Sequence, residues 1–196
     1  IGFYSLHGCI QVEATELSVS ARGAATSLHS SFFFLGHASG PVLRRMRRFG
    51  DADSFLGLID QVRSQVPDAG IRSNVIVGFP AEDEVAFRRT LAVLEGVGVT
   101  KVHVFPYSPR PGTATAAADT VPVGVKRERG ARVREASRVA SLARWREKLG
   151  RDDVVLVDRP GRGYGDDYSP WLVDAPVGEL VRVRGVAVTE EGICAA

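Results

Sequence analysis

The fold is decided by the segment IRSNVIVGFP, which occupies residues 71–80. Ile71 to Val77 is a run with several β-branched residues, which predicts a buried strand ended by Gly78-Phe79-Pro80. Helical spacing of apolar residues then returns from Asp83 to Leu94, and Lys101 to Phe105 is again strand-like. This order of strand, loop, helix and strand is typical of βα units on a parallel sheet, so the first part of the chain is predicted to be α/β.

Upstream of this segment, the sequence predicts one more strand and two helices. Phe32 to Leu35 is a short apolar run, and Val42 to Arg48 has helical spacing after Pro41. A second amphipathic helix begins at Asp53 or Ser54 and ends at Pro67. Functional loops in parallel sheets follow the carboxyl ends of strands. We therefore expect the site in residues 36–40, 78–82 and 106–113.

Downstream, the character of the chain changes near residue 150. A long basic helix is predicted from about Pro122 to Leu149, and Gly150 ends it. Short strand-like runs separated by Gly, Pro and Asp follow at residues 154–157, 171–173, 180–184, 186–188 and 192–195. This pattern predicts a small antiparallel barrel. We therefore expect two domains, at residues 1–150 and 151–196.

Composition and charge exclude several classes of protein. The 196 residues carry 25 Lys and Arg against 23 Asp and Glu, a net charge of +2, and no run approaches the roughly 20 apolar residues of a membrane helix. The start lacks the pattern of a signal peptide, so we expect a soluble cytoplasmic protein with no membrane partner. Cys9 and Cys194 lie near opposite ends, which predicts neither a disulfide partner nor a metal site built from this chain alone.

Several segments, taken in order, resemble one family. Residues His37 to Gly50, Arg72 to Pro80 and His103 to Thr113 are similar to the radical-SAM methylthiotransferases. Gly161 to Tyr168 and Val177 to Val183 resemble the small RNA-binding TRAM barrel that ends those enzymes. The resemblance covers roughly residues 30–190, and it depends on the order and spacing of the segments.

The resemblance implies both a fold and a function. The fold is the back half of a partial (β/α) radical-SAM barrel, ending in the long basic helix and followed by a small antiparallel TRAM-like β-barrel. The implied function is that of the carboxy-terminal portion of a methylthiotransferase. Such an enzyme adds a methylthio group to a hypermodified adenosine next to the tRNA anticodon, and the resemblance favours threonylcarbamoyladenosine.

Two alternatives to this function stay open. The first is a catalytically inactive RNA-binding remnant, which the cysteine count favours for this chain by itself. The second is a relative that modifies a ribosomal protein aspartate, because His37-Ala38-Ser39 and Phe49-Gly50 resemble that branch of the family. Val104 to Thr113 resembles the tRNA branch instead, and the barrel is also of that type. We therefore favour tRNA.

The sequence also departs from the family pattern. Gly36 replaces the usual Gln, Ala81-Glu82 replaces the usual Gly-Glu, and the three cysteines at C-x3-C-x2-C spacing are absent. The resemblance implies S-adenosylmethionine and 4Fe-4S clusters as cofactors of the full-length family. We expect neither to bind tightly to this chain alone, and we assign no catalytic residue and no metal ligand.

The loops supply the residues that the resemblance places at the cofactor. Glycine lets the backbone approach a ligand closely, a buried amide needs a partner, and an aromatic ring beside a hydroxyl can pack against adenine. A structural role stays open as the alternative: His37 as a core histidine with satisfied hydrogen bonds, Gly78 as part of an ordinary βα turn, and Phe105 as a core phenylalanine. The expected cofactor-binding residues are His37, Ser39, Asn74, Gly78, Phe105 and Tyr107.

Arginines and tyrosines predict contacts with a tRNA anticodon stem-loop. Four arginines within five positions repel one another unless anions offset their charges. The barrel combines cations with aromatic rings, on which unpaired bases can stack. The alternative is that the arginines are only solvated and the tyrosines fill the core. The expected RNA-binding residues are Arg44, Arg45, Arg47, Arg48, Arg162, Tyr164, Tyr168, Arg182 and Arg184.

Overall fold

A computed structural model describes residues 37–47, 51–113 and 115–196. The predicted strand at Phe32 to Leu35, together with Arg48 and Cys9, lies outside the described residues. The described residues divide into two compact units. The first, here the βα unit, contains residues 37–64 and 71–140, and the second, here the barrel unit, contains residues 65–70 and 141–196.

The βα unit is built on two parallel strands. Strand β1 (Arg72–Val77) pairs with β2 (Lys101–Pro106) in a register that runs from Arg72 opposite Lys101 to Val77 opposite Pro106. Helix α3 (Glu84–Val97) connects them, and the side chain of Asp83 caps it by accepting a hydrogen bond from the Ala86 N–H at 2.7 Å. The predicted strand–helix–strand order and its parallel pairing are confirmed. The larger partial radical-SAM barrel stays a prediction.

Three more helices and one short turn complete the helical elements of the described residues. They are α1 (Gly40–Arg45), α2 (Ala52–Gln65), a 3-10 turn (Ala116–Ala118) and α4 (Val123–Arg146). The predicted end of α1 and the predicted start of α2 were wrong. Helix α1 stops at Arg45 rather than Arg48, and Arg47 adopts a left-handed φ of 56°. The cap of α2 is Asp51, whose carboxylate accepts from the Ser54 N–H at 2.8 Å, rather than Asp53 or Ser54.

Helix α4 ends three residues before the predicted end at Leu149. Hydrogen bonds from the N–H groups of residues 147–149 to the carbonyls of residues 144–146 tighten the chain into a turn. Gly150 follows with a φ of 73°, the left-handed conformation that glycine adopts without steric cost. The predicted role of this glycine as a stop is therefore observed, a few residues after the helix.

The barrel unit contains a closed barrel of five strands. They are β3 (Asp152–Arg159), β4 (Arg162–Tyr164), β5 (Pro170–Leu172), β6 (Leu180–Val188) and β7 (Ile193–Ala195), joined in the order β3-β4-β5-β7-β6. The prediction of a small barrel is confirmed, but its purely antiparallel pairing was wrong. Strand β7 pairs antiparallel with β6, because the tight turn between them reverses the chain, and it pairs parallel with β5.

Two details of the barrel differ from the prediction. Strand β6 is one nine-residue element with an irregularity between Gly185 and Ala187, where two strands were predicted. Strand β4 was missed because its three residues lie among glycines that indicate a turn. Gly163 faces the core, and a Cβ there would lie 2.5 Å from the Cγ1 of Val155. This glycine is therefore required by close packing.

The barrel core is apolar and centred on a tryptophan. Trp171 is fully buried and packs among Val155, Val157, Val173, Val183 and Ile193. Burial of this cluster is the main source of the barrel's stability, since each such side chain contributes roughly 1.5–3 kcal/mol. In the part of the chain that the structure describes, no helix is long and apolar enough to cross a membrane.

Candidate functional site

A cleft of about 830 Å³ opens in the βα unit, beside the carboxyl ends of β1 and β2. This is where loops of parallel sheets carry function. Its apolar surface comes from strand ends, from the loops that follow them and from Met46 directly after α1. The apolar and aromatic lining residues are Met46, Ile76, Phe79, Phe105, Pro106 and Tyr107.

Three arginines line the same cleft. Arg45 and Arg47 come from the end of α1 and the turn after it, and Arg110 comes from the loop after β2. None of the described lining residues is Asp or Glu. Within residues 37–47, 51–113 and 115–196, the structure shows no ion pair for these three guanidinium groups. Among the described residues, no carboxylate offsets the positive charge of the cleft, which favours an anionic ligand.

The aromatic side of the cleft is held rigidly at Tyr107. Its N–H donates to the Val77 carbonyl at 2.8 Å, and its hydroxyl lies 3.0 Å from both the carbonyl and the Oγ1 of Thr115. Its ring meets the ring of Phe79 edge to face, with centroids 5.0 Å apart. Phe105 is 50% exposed. Phe105 thus offers a free aromatic face on which a planar ligand could stack.

Two residues of the predicted cofactor site, His37 and Ser39, are brought together but are buried. The Nδ1 of His37 accepts a hydrogen bond from the Ser39 N–H at 2.9 Å, and the hydroxyl of Thr90 lies 3.3 Å from the same nitrogen. His37 is 1% exposed and Ser39 is 7% exposed. The structure therefore places them in the packed interior, outside the lining of the cleft.

Glu82 was not among the predicted site residues, yet it organises this region. Its Oε2 accepts from the Gly78 N–H at 2.8 Å and lies 3.4 Å from the Nε2 of His37. Its Oε1 accepts from Arg129 at 2.8 Å, and Arg129 also donates to the Glu82 carbonyl. In the sequence Glu82 stands out only as part of a family motif, since its partner Arg129 lies 47 residues away.

Ala81, just before Glu82, has an unusual backbone. Its φ is 69°, in the left-handed region that favours glycine. The sequence resemblance places a glycine at this position, so the alanine occupies a conformation for which its Cβ is unsuited.

The remaining predicted cofactor residues divide between the cleft and its surroundings. Phe105 and Tyr107 line the cleft, whereas Asn74 and Gly78 do not. Asn74 is half-buried in β1, where it pairs with His103 of β2. Gly78 is buried with a φ of 72°.

In the barrel unit, most predicted RNA-binding arginines have carboxylate partners. Arg162 pairs with Glu191, and Arg184 pairs with Asp152 at 3.2 Å. Arg182 is exposed, and no ion pair involves it in the described part of the chain. The rings of Tyr164 and Tyr168 lie with centroids 6.4 Å apart. Of the three arginines predicted here, Arg182 is therefore the one whose charge no described carboxylate offsets.

A cluster of three carboxylates in the barrel unit is in contact with the ammonium group of a lysine. Oxygens of Asp153, Asp166 and Asp167 lie within 4.8 Å of one another. The Nζ of Lys148 lies 2.6 Å from Asp153 and 3.1 Å from Asp167. Burial and the charge of Asp153 raise the pKa of Asp166. Burial lowers the pKa of Lys148, but Asp167 and Asp153 outweigh it and raise that pKa overall.

Comparison with known proteins gives no match to a family model but several curated relatives. The chain is 39% identical over 194 residues to the ribosomal protein uS12 methylthiotransferase RimO of Nocardioides sp., a match that covers 90% of this chain and 39% of that protein. It is 36% identical over 152 residues to the tRNA-2-methylthio-N(6)-dimethylallyladenosine synthase of Novosphingobium aromaticivorans, covering 73% and 34%.

A third relative is the threonylcarbamoyladenosine tRNA methylthiotransferase MtaB of Thermotoga maritima. It is 36% identical over 162 residues, covering 79% of this chain and 37% of that protein. The chain therefore spans about two fifths or less of the length of these three relatives.

Proposed function

This chain belongs by homology to the radical-SAM methylthiotransferase family, and we propose that it forms the carboxy-terminal part of an enzyme that modifies tRNA. The proposed reaction adds a methylthio group to a hypermodified adenosine, threonylcarbamoyladenosine, beside the anticodon. The role proposed for the chain itself is to bind the anticodon stem-loop.

One observation carries this proposal. The cleft combines an exposed aromatic face at Phe105 with three arginines, Arg45, Arg47 and Arg110, in a lining that contains no carboxylate among its described residues. A nucleotide of an RNA strand has the matching parts, since its base stacks on an aromatic ring and its phosphates pair with guanidinium groups. Arg44 belongs to the same helix, but it does not line the cleft.

The outer face of the barrel offers a second RNA contact. Tyr164 pairs with Leu156 across β4 and β3, and Arg182 pairs with Val154 across β6 and β3. Directly opposed residues in a sheet share one face. Leu156 is 47% exposed and Val154 is 45% exposed, so this face combines accessible apolar surface with a cation. Such a surface suits unpaired bases and one backbone phosphate.

The cofactors of the full-length family fit this chain unequally. A 4Fe-4S cluster needs three or four convergent thiolates, and a chain with two cysteines cannot supply them. S-adenosylmethionine, which supplies the radical chemistry when bound, has Phe105 and Tyr107 as candidate contacts in the cleft. His37, Ser39 and Gly78 are buried, and we propose that they shape the loops around it. The same features would also serve an RNA-binding chain without activity of its own.

A second candidate substrate is ribosomal protein uS12. The observation that favours it is the relative from Nocardioides sp., which matches 90% of this chain and whose name specifies that substrate. The two candidates differ in charge complementarity. An RNA strand presents one phosphate per nucleotide to the arginines of the cleft, whereas a protein segment need not present any anion beyond its acidic side chains.

The test is a titration of this chain with an anticodon stem-loop RNA and, in parallel, with purified uS12. Replacing Arg45, Arg47 and Arg110 with Gln is expected to weaken RNA binding and to reduce the slope of log K against log salt by up to about 2, at roughly 0.7 per lost phosphate contact. The matched control replaces three exposed arginines, Arg89, Arg127 and Arg134, with Gln and is expected to change the slope little. Saturable binding of uS12 without RNA binding would favour the second candidate.

A further inference from the structure

The loop that walls the cleft is folded around one buried ammonium. The Nζ of Lys126 lies 2.7 Å from each carboxylate oxygen of Asp119 and 3.1 Å from the Tyr107 carbonyl oxygen. It also lies 5.3 Å from the centre of the Tyr107 ring. The Lys126 side chain is only 6% exposed. The segment from Tyr107 to Asp119, here the cleft loop, is thus tied to one cation at both of its ends.

The stem of the same lysine packs on the loop after β1. A Cβ placed on Gly78 would lie 2.3 Å from the Cγ of Lys126 and 3.0 Å from its Cδ. The lysine stem therefore rests directly on the Gly78 backbone, which explains why a residue without a side chain is required there. Lys126 belongs to the first turn of α4, so one helical residue joins the loops that follow both strands.

Tyr107 connects the contacts of Lys126 with the lining of the cleft. Its ring and that of Phe79 form part of the lining, and its hydroxyl bonds to Thr115 farther along the cleft loop. A buried ammonium that loses its place leaves a carboxylate and a carbonyl without their donor. The Asp119 carboxylate and the Tyr107 carbonyl would then turn toward water, and the loop would move with them.

We propose that Lys126 is a positioning residue that holds the cleft loop in its ligand-binding shape. It acts through Tyr107 and Asp119 and does not line the cleft itself. The ligand arm of the test rests on the proposed RNA function, whereas the loop arm does not depend on any ligand.

The loop arm measures amide hydrogen exchange in the Lys126→Met variant, which keeps the apolar stem and removes the charge. Exchange in the peptides that cover residues 107–119 is expected to rise about tenfold or more, since charge-assisted hydrogen bonds are lost. Exchange in α3 and in the barrel strands is expected to stay within about twofold. The Asp119→Asn variant, which weakens the same contact from the other side, is expected to show a smaller rise in the same peptides.

Two control variants test whether the effect requires a cation at position 126 and whether another cation can replace the lysine there. Arg127→Met removes the neighbouring exposed cation and is expected to leave exchange in the cleft loop unchanged. Lys126→Arg keeps a cation that can donate to both oxygens of Asp119. It is expected to recover most of the protection, and to keep affinity for the anticodon stem-loop within about threefold of the parent chain while Lys126→Met loses about tenfold.

The outcomes distinguish the positioning role of Lys126 from the RNA function proposed for the cleft. Equal protection of the cleft loop in the parent chain and Lys126→Met would overturn the positioning role. A uniform rise in exchange across α3 and the barrel would also overturn it, because the lysine would then support the whole fold. Local loosening without any change in RNA affinity would support the positioning role and contradict the RNA function proposed for the cleft.

Discussion

In the cleft, Arg45, Arg47 and Arg110 line a surface without carboxylates among its described residues, whereas in the barrel Arg162 and Arg184 each meet one. The sequence predicted RNA contacts in both regions, at Arg45 and Arg47 because four arginines crowd five positions, and in the barrel because arginines occur there with tyrosines. The difference lies in what surrounds each guanidinium. An exposed ion pair contributes little to stability, but it uses the charge that a phosphate would need.

The ion pairs of the two regions also differ in depth. Glu82 and Arg129 form a buried pair at the base of the cleft loops, with side chains 0% and 7% exposed. Arg184 and Asp152 form a pair with side chains 61% and 54% exposed. Removing one partner of a buried pair leaves an isolated charge, whereas an exposed charge returns to water. The βα unit is therefore more sensitive to the loss of a single carboxylate.

The largest expected effect tests that sensitivity. Glu82→Ala removes the buried carboxylate that accepts from the Arg129 guanidinium and from the Gly78 N–H, and leaves Arg129 only the carbonyl of residue 82 and a longer contact to Glu84. We expect the free energy of unfolding to fall by about 3–5 kcal/mol, measured by urea denaturation followed by circular dichroism. Glu84→Ala is the control, because Glu84 is 44% exposed and its loss should cost far less. Equal losses of unfolding free energy in the two variants would contradict the greater sensitivity expected at the buried pair.

A smaller effect is expected at the strained residue of the cleft loops. Ala81→Gly relieves a left-handed φ of 69° and should raise the free energy of unfolding by about 1 kcal/mol, the strain of 1–2 kcal/mol less the greater entropy loss of glycine. Ala131→Gly on α4 is the control and should lower the same free energy by about 0.5–1 kcal/mol. Destabilisation by both changes would show that Ala81 is not strained.

The third prediction compares two arginines of one barrel strand. Arg182→Gln is expected to weaken binding of the anticodon stem-loop about two- to fivefold, since its guanidinium is exposed and no described carboxylate pairs with it. Arg184→Gln is expected to change the affinity less, because Arg184 is already paired with Asp152. The measurement is a fluorescence titration at low salt. A larger effect of Arg184 would mean that pairing with Asp152 does not limit RNA contact.

The smallest effect concerns the carboxylate cluster around Lys148. Because the pKa of Asp166 is raised in the folded protein, ionisation of its carboxyl opposes folding. The resulting loss of stability is absent below the pKa of the unfolded chain and grows as pH rises toward the folded pKa. Asp166→Asn should therefore stabilise the protein at neutral pH by less than about 1 kcal/mol after solvent screening.

That stabilisation should disappear at about pH 3, where the Asp166 carboxyl is largely protonated in both the folded and the unfolded protein. Thermal denaturation at the two pH values measures it, with Asp174→Asn as a control at an exposed carboxylate. A gain for Asp166→Asn that persists unchanged at the acidic pH would rule out ionisation as its cause.

The sequence predicted elements with strong local patterns and missed those that depend on distant contacts. The strands β1 and β2 and the helix between them follow from apolar spacing and from the glycine and proline residues that end them. Strand β4 has three residues and no pattern of its own, and it exists because β3 and β5 pair with it on either side. The end of α1 was missed for a similar reason, since a local run of arginines continues beyond the helix.

The candidate site shows the same division. Its location after two parallel strands was predictable from their order along the chain, and Phe105, Tyr107, Arg45 and Arg47 were all among the predicted site residues. Arg110 was not singled out, and neither was the pairing of Glu82 with Arg129 across 47 residues. The sequence left a core histidine open as an alternative for His37, and it could not decide between the two roles because burial depends on elements that pack around the residue.

By itself, the sequence determined the βα order, the small barrel, the family resemblance and the net excess of arginine in particular segments. These properties follow from local periodicity, turn residues and motif order. Only the tertiary structure decided which arginines pair with a described carboxylate, that Glu82 supports the cleft loops and that the ammonium group of Lys126 binds both ends of the cleft loop. Charge pairing and burial depend on distances in space, and residues far apart in the chain set those distances only when the fold brings them together.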